Sequence, residues 1–244
     1  MKRSIIIFFV LLLAVSCKKP QDRSCWKSIG EDTTIVVPLD SVRTYYLGKN
    51  IKYRIFEDTL RKAVIKGGKN LLNEIDFSYN GYELTISNNN KCNFLRDYER
   101  IVEVELHQPE YYYFYMTASD SVIFENTIQS HNLEIEMKEA GGEMVLDVDN
   151  YRTDIVVSVG TANYVITGHS SNAEIKVQDK GFADASGFTA DNLFGFQNST
   201  SDLYLNLDSS NAEIIINGTG DIYYTGTPLT MTEDGVGSGQ LIQK

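Results

Sequence analysis

The segment Ser170-Ser171-Asn172-Ala173-Glu174-Ile175 is the most informative about the fold, because the same six residues return as Ser209-Ser210-Asn211-Ala212-Glu213-Ile214 after 39 positions. Asparagine also stands at positions 132 and 192, so four asparagines lie close to multiples of twenty residues apart. Asparagine tolerates left-handed backbone conformations, and its side-chain amides can stack in ladders. A coil of about twenty residues, with two strands and two turns, would place these asparagines above one another at one corner.

Short alternating strands surround this repeat. Their apolar positions are Leu133/Ile135/Met137, Met144/Leu146/Val148, Ile155/Val157/Val159, Ala173/Ile175/Val177, Leu203/Leu205/Leu207 and Ala212/Ile214/Ile216. Alternate residues of a strand share one face, so the pattern predicts an all-β fold, a parallel β-helix with about twenty residues per coil. The alternative is an antiparallel sandwich, whose strands also recur every 8–12 residues or so, but a sandwich does not explain an exact repeat.

The β-helix hypothesis fixes the direction of individual side chains. Asn172 and Asn211 should lie on one edge, two coils and about 10 Å apart, because parallel strands are about 4.8 Å apart. Six side chains should point inward, and Glu174 and Glu213 should point outward. The six inward residues are Ala173, Ile175, Val177, Ala212, Ile214 and Ile216.

Two other segments allow more than one interpretation. The best helical candidate is Asp58–Leu72, although Gly67-Gly68 interrupts it. Gly235-Val236-Gly237-Ser238-Gly239 resembles a phosphate loop but lacks the following lysine and a helix that would supply amide donors. We therefore expect a tight turn before a last strand, Gln240–Gln243.

The N-terminal segment has the pattern of a secretory signal, which predicts that the protein is exported. A basic start precedes the apolar run Ile5–Val15, whose eleven residues are too few for a membrane-spanning helix of about 20. Leu13-Ala14-Val15-Ser16-Cys17 resembles the bacterial lipobox, in which the cysteine is lipidated; an ordinary signal peptide is the alternative. We expect a lipoprotein signal peptide over residues 1–16, a lipidated tether over 17–32 and a soluble domain over 33–244. No aspartate follows Cys17 directly, which favours the outer membrane, facing either the periplasm or the medium.

The net charge of the chain disfavours nucleic acid as a partner. The chain carries 22 basic and 33 acidic residues, and such an acidic protein repels nucleic acid.

The cysteine content allows one disulfide. After lipidation of Cys17 two cysteines remain, Cys25 and Cys92. In an oxidising compartment they could form a disulfide, and two separate thiols are the alternative.

Catalytic and metal-binding motifs are weak in this sequence. His107, His131 and His169 share no ligand spacing. The acidic cluster Asp147, Asp149 and Asp154 could hold calcium but lacks the glycine and distal glutamate of a calcium loop, so a solvated turn is favoured. No Gly-x-Ser-x-Gly elbow is present. We therefore expect no catalytic residue, no metal and no cofactor.

The run Tyr111-Tyr112-Tyr113-Phe114-Tyr115 is the most unusual segment. In a strand, Tyr111, Tyr113 and Tyr115 would share one face. Exposed tyrosines can stack on sugar rings and hydrogen-bond through their hydroxyls, so these three are candidate ligand-binding residues. The alternative is an aromatic ladder packed between neighbouring coils.

Several segments together resemble a known family, the "putative auto-transporter adhesin, head GIN domain", found on lipoproteins of Gram-negative bacteria. The resemblance covers roughly residues 33–244. It is carried by Gly67-Gly68-Lys69-Asn70-Leu71-Leu72-Asn73-Glu74-Ile75, Gly81-Tyr82-Glu83-Leu84-Thr85-Ile86, Gly220–Gly226 with Thr227-Pro228, and Gly237-Ser238-Gly239. Two further segments, Cys25-Trp26-Lys27-Ser28 and Asn90–Arg96, resemble a subgroup. The resemblance implies a right-handed, single-stranded β-helix and implies no activity.

Three classes of function remain open. The first is a non-catalytic cell-envelope binding or adhesion module that presents β-helix faces to a glycan or to an envelope or host protein. The second is a structural or signalling envelope component without a ligand. The third is a β-helical enzyme acting on acidic polysaccharide, which an acidic domain without an obvious basic groove disfavours. We expect the first.

Overall fold

The computed structural model describes residues 28–91 and 101–244. The predicted signal peptide, Cys17, Cys25 and Cys92 lie outside these residues, so the lipidation and disulfide hypotheses stay predictions. The strands are β1 (Asp32–Pro38), β2 (Thr44–Leu47), β3 (Ile51–Glu57), β4 (Lys62–Gly68), β5 (Ile75–Asn80), β6 (Glu83–Asn88), β7 (Val102–Gln108), β8 (Tyr113–Met116), β9 (Val122–Phe124), β10 (Asn132–Ala140), β11 (Glu143–Gly160), β12 (Asn163–Asp179), β13 (Phe182–Ser199), β14 (Leu203–Asn206), β15 (Asn211–Ile216), β16 (Ile222–Thr225), β17 (Thr230–Asp234) and β18 (Leu241–Gln243). One single-turn helix, α1 (Lys69–Leu72), follows β4.

The strands form a β-solenoid of about seven turns with roughly 20 residues per turn. Two parallel ladders run along it. Face A contains, in spatial order, β6, β2, β8, β10, the second halves of β11, β12 and β13, then β15 and β17. Face B contains β7, β3, β9, the first halves of β11, β12 and β13, then β14, β16 and β18. The predicted parallel β-helix is confirmed.

The asparagine corner is also confirmed. Asn172 pairs with Asn192, and Asn192 pairs with Asn211, so the first and last are two ladder steps apart. Arg152 occupies the coil between Asn132 and Asn172. All six predicted inward residues are buried, at 5% exposure or less, whereas Glu174 and Glu213 lie on the outer surface.

The interior is narrow and filled by its own side chains. Ile175, Val177 and Ile214 have no exposed surface. Gly195 occupies an inward position, where an added Cβ would lie 2.8 Å from Ile214 Cδ1 and 3.1 Å from Leu205 Cδ1. Such close packing explains why the sequence places glycine between two outward phenylalanines.

The N-terminal end departs from a uniform coil. The β2–β3 coil lies between the later β6–β7 coil and the β8–β9 coil, so spatial order differs from chain order. Three further strands pair antiparallel at this end: β4 on β7, β1 on β4, and β5 on β6. Because an open sheet edge can pair with other chains, these strands cover the edges of the first coil.

The predicted helix Asp58–Leu72 is wrong except for its last turn. Residues 62–68 form β4, which lies between β1 and β7. Ala63, Val64 and Ile65 are buried there. The β-branched Val64 and Ile65 pack well on a pleated sheet, and the neighbouring strands on both sides satisfy the backbone. Tertiary pairing therefore overrides the helical pattern.

The glycine-rich C-terminal segment forms the expected turn. It joins β17 to β18, and the last strand spans Leu241–Gln243. Gly235 has φ of +133°, and an added Cβ would lie 2.0 Å from the Ile216 carbonyl oxygen of the preceding coil. In the described part of the chain, no helix is long and apolar enough to cross a membrane.

Candidate ligand-binding groove

A groove of about 410 Å³ runs along face A beside the asparagine corner. It crosses five neighbouring coils, from Arg152 to Thr230. Its lining residues are Arg152, Asp154, Asn172, Ala173, Glu174, Asn192, Leu193, Phe194, Asn211, Ala212, Glu213, Thr230 and Thr232. Two outward columns of side chains form most of this surface.

The first column is the asparagine ladder. Asn192 Nδ2 donates to Asn172 Oδ1 at 3.2 Å, and Asn211 Nδ2 donates to Asn192 Oδ1 at 3.3 Å. Thr230 Oγ1 donates to Asn211 Oδ1 at 2.9 Å and continues the column. An amide oxygen can accept two hydrogen bonds, so each ladder oxygen keeps one acceptor position for a ligand.

In each coil, the side chain of the second column lies two residues after that of the first, and several members of the second column are carboxylates. It runs through Tyr113, Glu134, Asp154, Glu174, Phe194, Glu213 and Thr232. Arg152 joins two of these groups, with 2.7 Å between Nε and Asp154 Oδ2 and 2.8 Å between Nη2 and Glu174 Oε1. Glu213, the last carboxylate of this column, has no ion-pair partner among residues 28–91 and 101–244.

The carboxyl group of Asp154 has a shifted pKa and one oxygen without a partner in the described residues. Burial raises the pKa of its carboxyl above the ordinary value, and the hydrogen bond and charge of Arg152 offset this shift only in part. Its Oδ1 is buried without a hydrogen-bond partner in the described residues. A buried, unpaired acceptor costs folding free energy, which offsets part of the stabilisation from the Arg152 ion pair.

Phe194 supplies an aromatic surface within the groove. Its ring is half-buried and lies parallel to that of Phe196, with 6.4 Å between centroids and 11° between planes. The Lys176 ammonium is 5.4 Å from the Phe194 ring centroid and forms an ion pair with Glu174. The exposed part of this ring can pack against an apolar face of a ligand.

The structure separates the three predicted tyrosines. Tyr111 precedes strand β8, and its side chain points into the core with no exposed surface, so the expectation that it shares an outer face with Tyr113 and Tyr115 is wrong. The reason is that strand alternation begins only at Tyr113. The Tyr111 hydroxyl lies 2.9 Å from the Leu106 carbonyl oxygen and 3.1 Å from that of Phe56.

Tyr113 and Tyr115 do point outward and are half-buried. Tyr113 belongs to the carboxylate column, and Tyr115 lies beside Tyr46 with 5.6 Å between ring centroids. The Tyr113 hydroxyl lies 3.2 Å from Glu136 Oε2, and burial together with this carboxylate raises the pKa of the hydroxyl. Both tyrosines therefore extend face A beyond the groove, and their role in binding stays a proposal.

The histidines lie in separate environments. His107 Nδ1 is 2.7 Å from Asp58 Oδ2. Partial burial opposes ionisation of Asp58, but hydrogen bonds from His107 and the Leu60 amide bring its net pKa below the ordinary value. His131 stacks on Tyr151 with 4.8 Å between centroids. His169 lies 3.1 Å from Thr189 Oγ1.

The acidic cluster considered for calcium is divided between the two faces. Asp147 lies on face B, where Thr127 and Thr167 donate hydrogen bonds to its carboxylate, whereas Asp154 lies on face A. Among the described residues, no group of three or more His, Cys, Asp or Glu side chains could hold a metal ion.

Sequence reasoning found the asparagine column but missed the groove beside it. The usable signal was the residue two positions after each asparagine, since Glu174, Phe194 and Glu213 must share the outer face of consecutive coils. The contribution of Arg152 was hidden because arginine replaces asparagine in its coil.

The family model described as "Putative auto-transporter adhesin, head GIN domain" matches residues 47–228. The chain belongs to this head GIN domain family. No curated protein sequence matches this head GIN domain significantly.

Three solved structures share its fold. A "putative adhesin" from Bacteroides fragilis has a TM-score of 0.76 at 17% identity, and the match covers 88% of this chain and 97% of the other. A "putative lipid binding protein" from Parabacteroides distasonis has a TM-score of 0.66 at 16% identity, covering 88% and 97%. A "putative adhesin" from Parabacteroides merdae has a TM-score of 0.65 at 14% identity, covering 89% and 98%. At these identities the likeness concerns the fold of the head GIN domain.

Proposed function

We propose that this head GIN domain is a non-catalytic binding or adhesion module of the cell envelope, and that face A is its binding surface. One observation supports the proposal: the groove on face A presents two columns of outward side chains on five consecutive coils, polar at every position except Phe194. Repeat proteins use such extended surfaces for large partners. A glycan or an envelope or host protein can lie along this surface, and the adhesin description of the family supports the same role.

The filled interior supports a surface site over an internal one. Small-molecule sites are usually concave and mostly apolar. Here the inward residues of both faces pack against each other, and the groove instead exposes amides, carboxylates and hydroxyls around Phe194. These groups suit a ligand that remains partly in solvent.

The test is a screen of the mature protein, made soluble by Cys17→Ser, against arrays of glycans and of envelope and host protein extracts. We expect at least one ligand whose binding falls tenfold or more in the double variant Asn192→Ala/Phe194→Ala. Tyr223→Ala, which removes an outward aromatic side chain from face B, is the matched control and should bind normally. Binding lost equally in both variants, no retained ligand, or measured turnover of a polysaccharide would overturn the proposal.

The lipid anchor at Cys17 belongs to the same proposal, because an adhesion module must be held at the envelope. Basic residues, a short apolar run and a lipobox-like Leu13–Cys17 support it. Replacing Cys17 with serine in the expressing cell should abolish labelling by palmitate and release the protein from the outer-membrane fraction. Palmitate labelling that persists in this variant would disprove the anchor.

A further inference from the structure

We infer that the groove on face A takes an extended, uncharged, β-1,4-linked glycan that lies parallel to the solenoid axis. The inference rests on the proposed function and names the ligand class of the same site. It is carried by the spacing of the two columns, by the chemistry of their side chains and by the charge around them.

Spacing is the first argument. Neighbouring coils of a parallel ladder are about 4.8 Å apart, and Asn172, Asn192 and Asn211 are in register without a slip. In an extended β-1,4-linked glycan, successive sugar rings advance by nearly the same length. Each sugar can therefore lie beside one coil. Because successive sugars of such a chain are turned over relative to one another, the same sugar edge meets the asparagine ladder at every second coil, as at Asn172 and Asn211. An α-1,4-linked glycan curves and would leave this straight register after a few sugars.

Side-chain chemistry is the second argument. Sugar rings carry hydroxyls on their edges and apolar C–H groups on their faces. The free acceptor positions of the asparagine ladder and the unpaired carboxylate of Glu213 can accept hydrogen bonds from hydroxyls. The half-buried Phe194 ring provides a surface for one C–H face. The groove thus offers both kinds of contact along one line.

Charge is the third argument, and it excludes acidic glycans. The groove holds three carboxylates (Asp154, Glu174 and Glu213) against Arg152 and, at its edge, Lys176, so acidic groups remain in excess. From residue 101 to residue 244 the chain has 22 acidic and 5 basic side chains. A polyuronate would meet repulsion both in the groove and around it, whereas an uncharged chain would not.

Calorimetric titration of the mature Cys17→Ser protein with cellohexaose, maltohexaose and hexagalacturonate tests the inference. We expect cellohexaose to bind at least tenfold more tightly than maltohexaose, and hexagalacturonate to show no binding. Phe194→Ala and Phe194→Leu should each weaken cellohexaose binding at least tenfold, because leucine keeps the apolar volume and lacks the ring face. Tyr223→Ala should bind like the wild type, and thermal unfolding should show that all variants are folded.

Three results would overturn the inference: no cellohexaose binding, equal binding of maltohexaose or hexagalacturonate, or full affinity in both Phe194 variants. These outcomes are separable from failure of the proposed function. If the array screen yields a protein ligand that depends on Asn192 and Phe194 while cellohexaose does not bind, the binding module stands and the glycan class falls. If no ligand depends on the groove, both fall.

Discussion

At the level of single residues, two tyrosines packed against each other in the core differ in whether the side-chain hydroxyl has a hydrogen-bond partner. Tyr45 and Tyr111 pack against each other with 5.4 Å between ring centroids, and neither has exposed surface. The Tyr111 hydroxyl has carbonyl acceptors from Leu106 and Phe56. The Tyr45 hydroxyl has no hydrogen-bond partner within the described residues.

Replacing each of these tyrosines with phenylalanine should therefore give opposite results. Tyr111→Phe removes a buried hydrogen bond and should lower the free energy of unfolding by about 1–2 kcal/mol. Tyr45→Phe removes a buried hydroxyl without a partner and should be neutral or stabilising. Chemical denaturation of both variants measures the difference, and equal effects of the two substitutions would contradict the assignment of a hydrogen-bonded hydroxyl to Tyr111 and an unpartnered one to Tyr45.

Asp154 gives the groove a distinct pH dependence. Because burial raises its pKa in the folded protein, the folded state binds the proton more tightly than the unfolded state. Stability from this group is therefore fully present below the ordinary aspartate pKa, and it is lost as the pH rises through the raised one.

The asparagine of the Asp154→Asn variant cannot ionise, so the variant should not lose this stability as the pH rises. Its free energy of unfolding should therefore increase relative to that of the wild type between about pH 3 and 7. Asp149→Asn, at an exposed position of the same strand, is the control. Thermal unfolding across this range provides the comparison. A wild type and Asp154→Asn pair with parallel pH profiles would contradict the burial of this carboxylate.

At the scale of elements, close stacking of coils depends on glycine at a few corners. Gly168, in β12, has φ of +98°, and an added Cβ would lie 2.0 Å from the Val148 carbonyl oxygen of the preceding coil. Gly141, between β10 and β11, has no positive φ, and its added Cβ would meet only Thr161 Oγ1 at 3.6 Å.

Gly168→Ala should lower the free energy of unfolding by at least about 2 kcal/mol, because strain and steric overlap add. Gly141→Ala should change stability by less than about 0.5 kcal/mol or increase it slightly through the unfolded chain. Urea unfolding of the two variants is the measurement. Comparable stability of both would mean that the coils do not approach each other as closely as described.

Sequence periodicity predicted those strands that pair with strands of the same alternating pattern in the neighbouring coils. From residue 132 onward each strand pairs with a strand about twenty residues away, so alternation and the repeated asparagine were sufficient. The N-terminal strands were harder, because β4 pairs with β1 and β7, and no local pattern encodes such partners. Tyr111 was misplaced for a similar reason, since its direction depends on where β8 begins.

At the scale of the whole molecule, charge is distributed unevenly along the solenoid. Residues 28–91 carry 9 basic and 8 acidic side chains, whereas residues 101–244 carry 5 and 22. The coils with the groove are therefore the acidic part of the molecule. If the proposed lipid anchor holds the domain at an anionic membrane surface, that surface repels this part more than the N-terminal end.

Two regions that flank the predicted disulfide approach the same helix. Asn70 Nδ2 donates to the Ser28 carbonyl oxygen at 2.9 Å, and Asn90 Nδ2 donates to the Leu71 carbonyl oxygen at 2.9 Å. Ser28 is three residues from Cys25, and Asn90 is two residues from Cys92. The described neighbours of both cysteines thus contact α1, and the bond between the cysteines stays a prediction.

We expect that bond to stabilise the domain by about 3–4 kcal/mol, since it closes a long loop of the unfolded chain. The double variant Cys25→Ser/Cys92→Ser should unfold at lower denaturant than the wild type, and reducing agent should lower the wild-type midpoint to the same value. Two free thiols in the denatured, non-reduced mature protein would rule the bond out.

The groove beside the asparagine ladder is the proposed binding site, and the side-chain amides of that ladder report directly on ligand binding there. Nuclear magnetic resonance spectra of the ¹⁵N-labelled mature Cys17→Ser protein should be recorded during titration with cellohexaose. We predict that the side-chain amide signals of Asn172, Asn192 and Asn211 shift together, while that of Asn206 on face B stays unchanged. Unchanged ladder amides throughout the titration, or shifts confined to face B, would contradict the account.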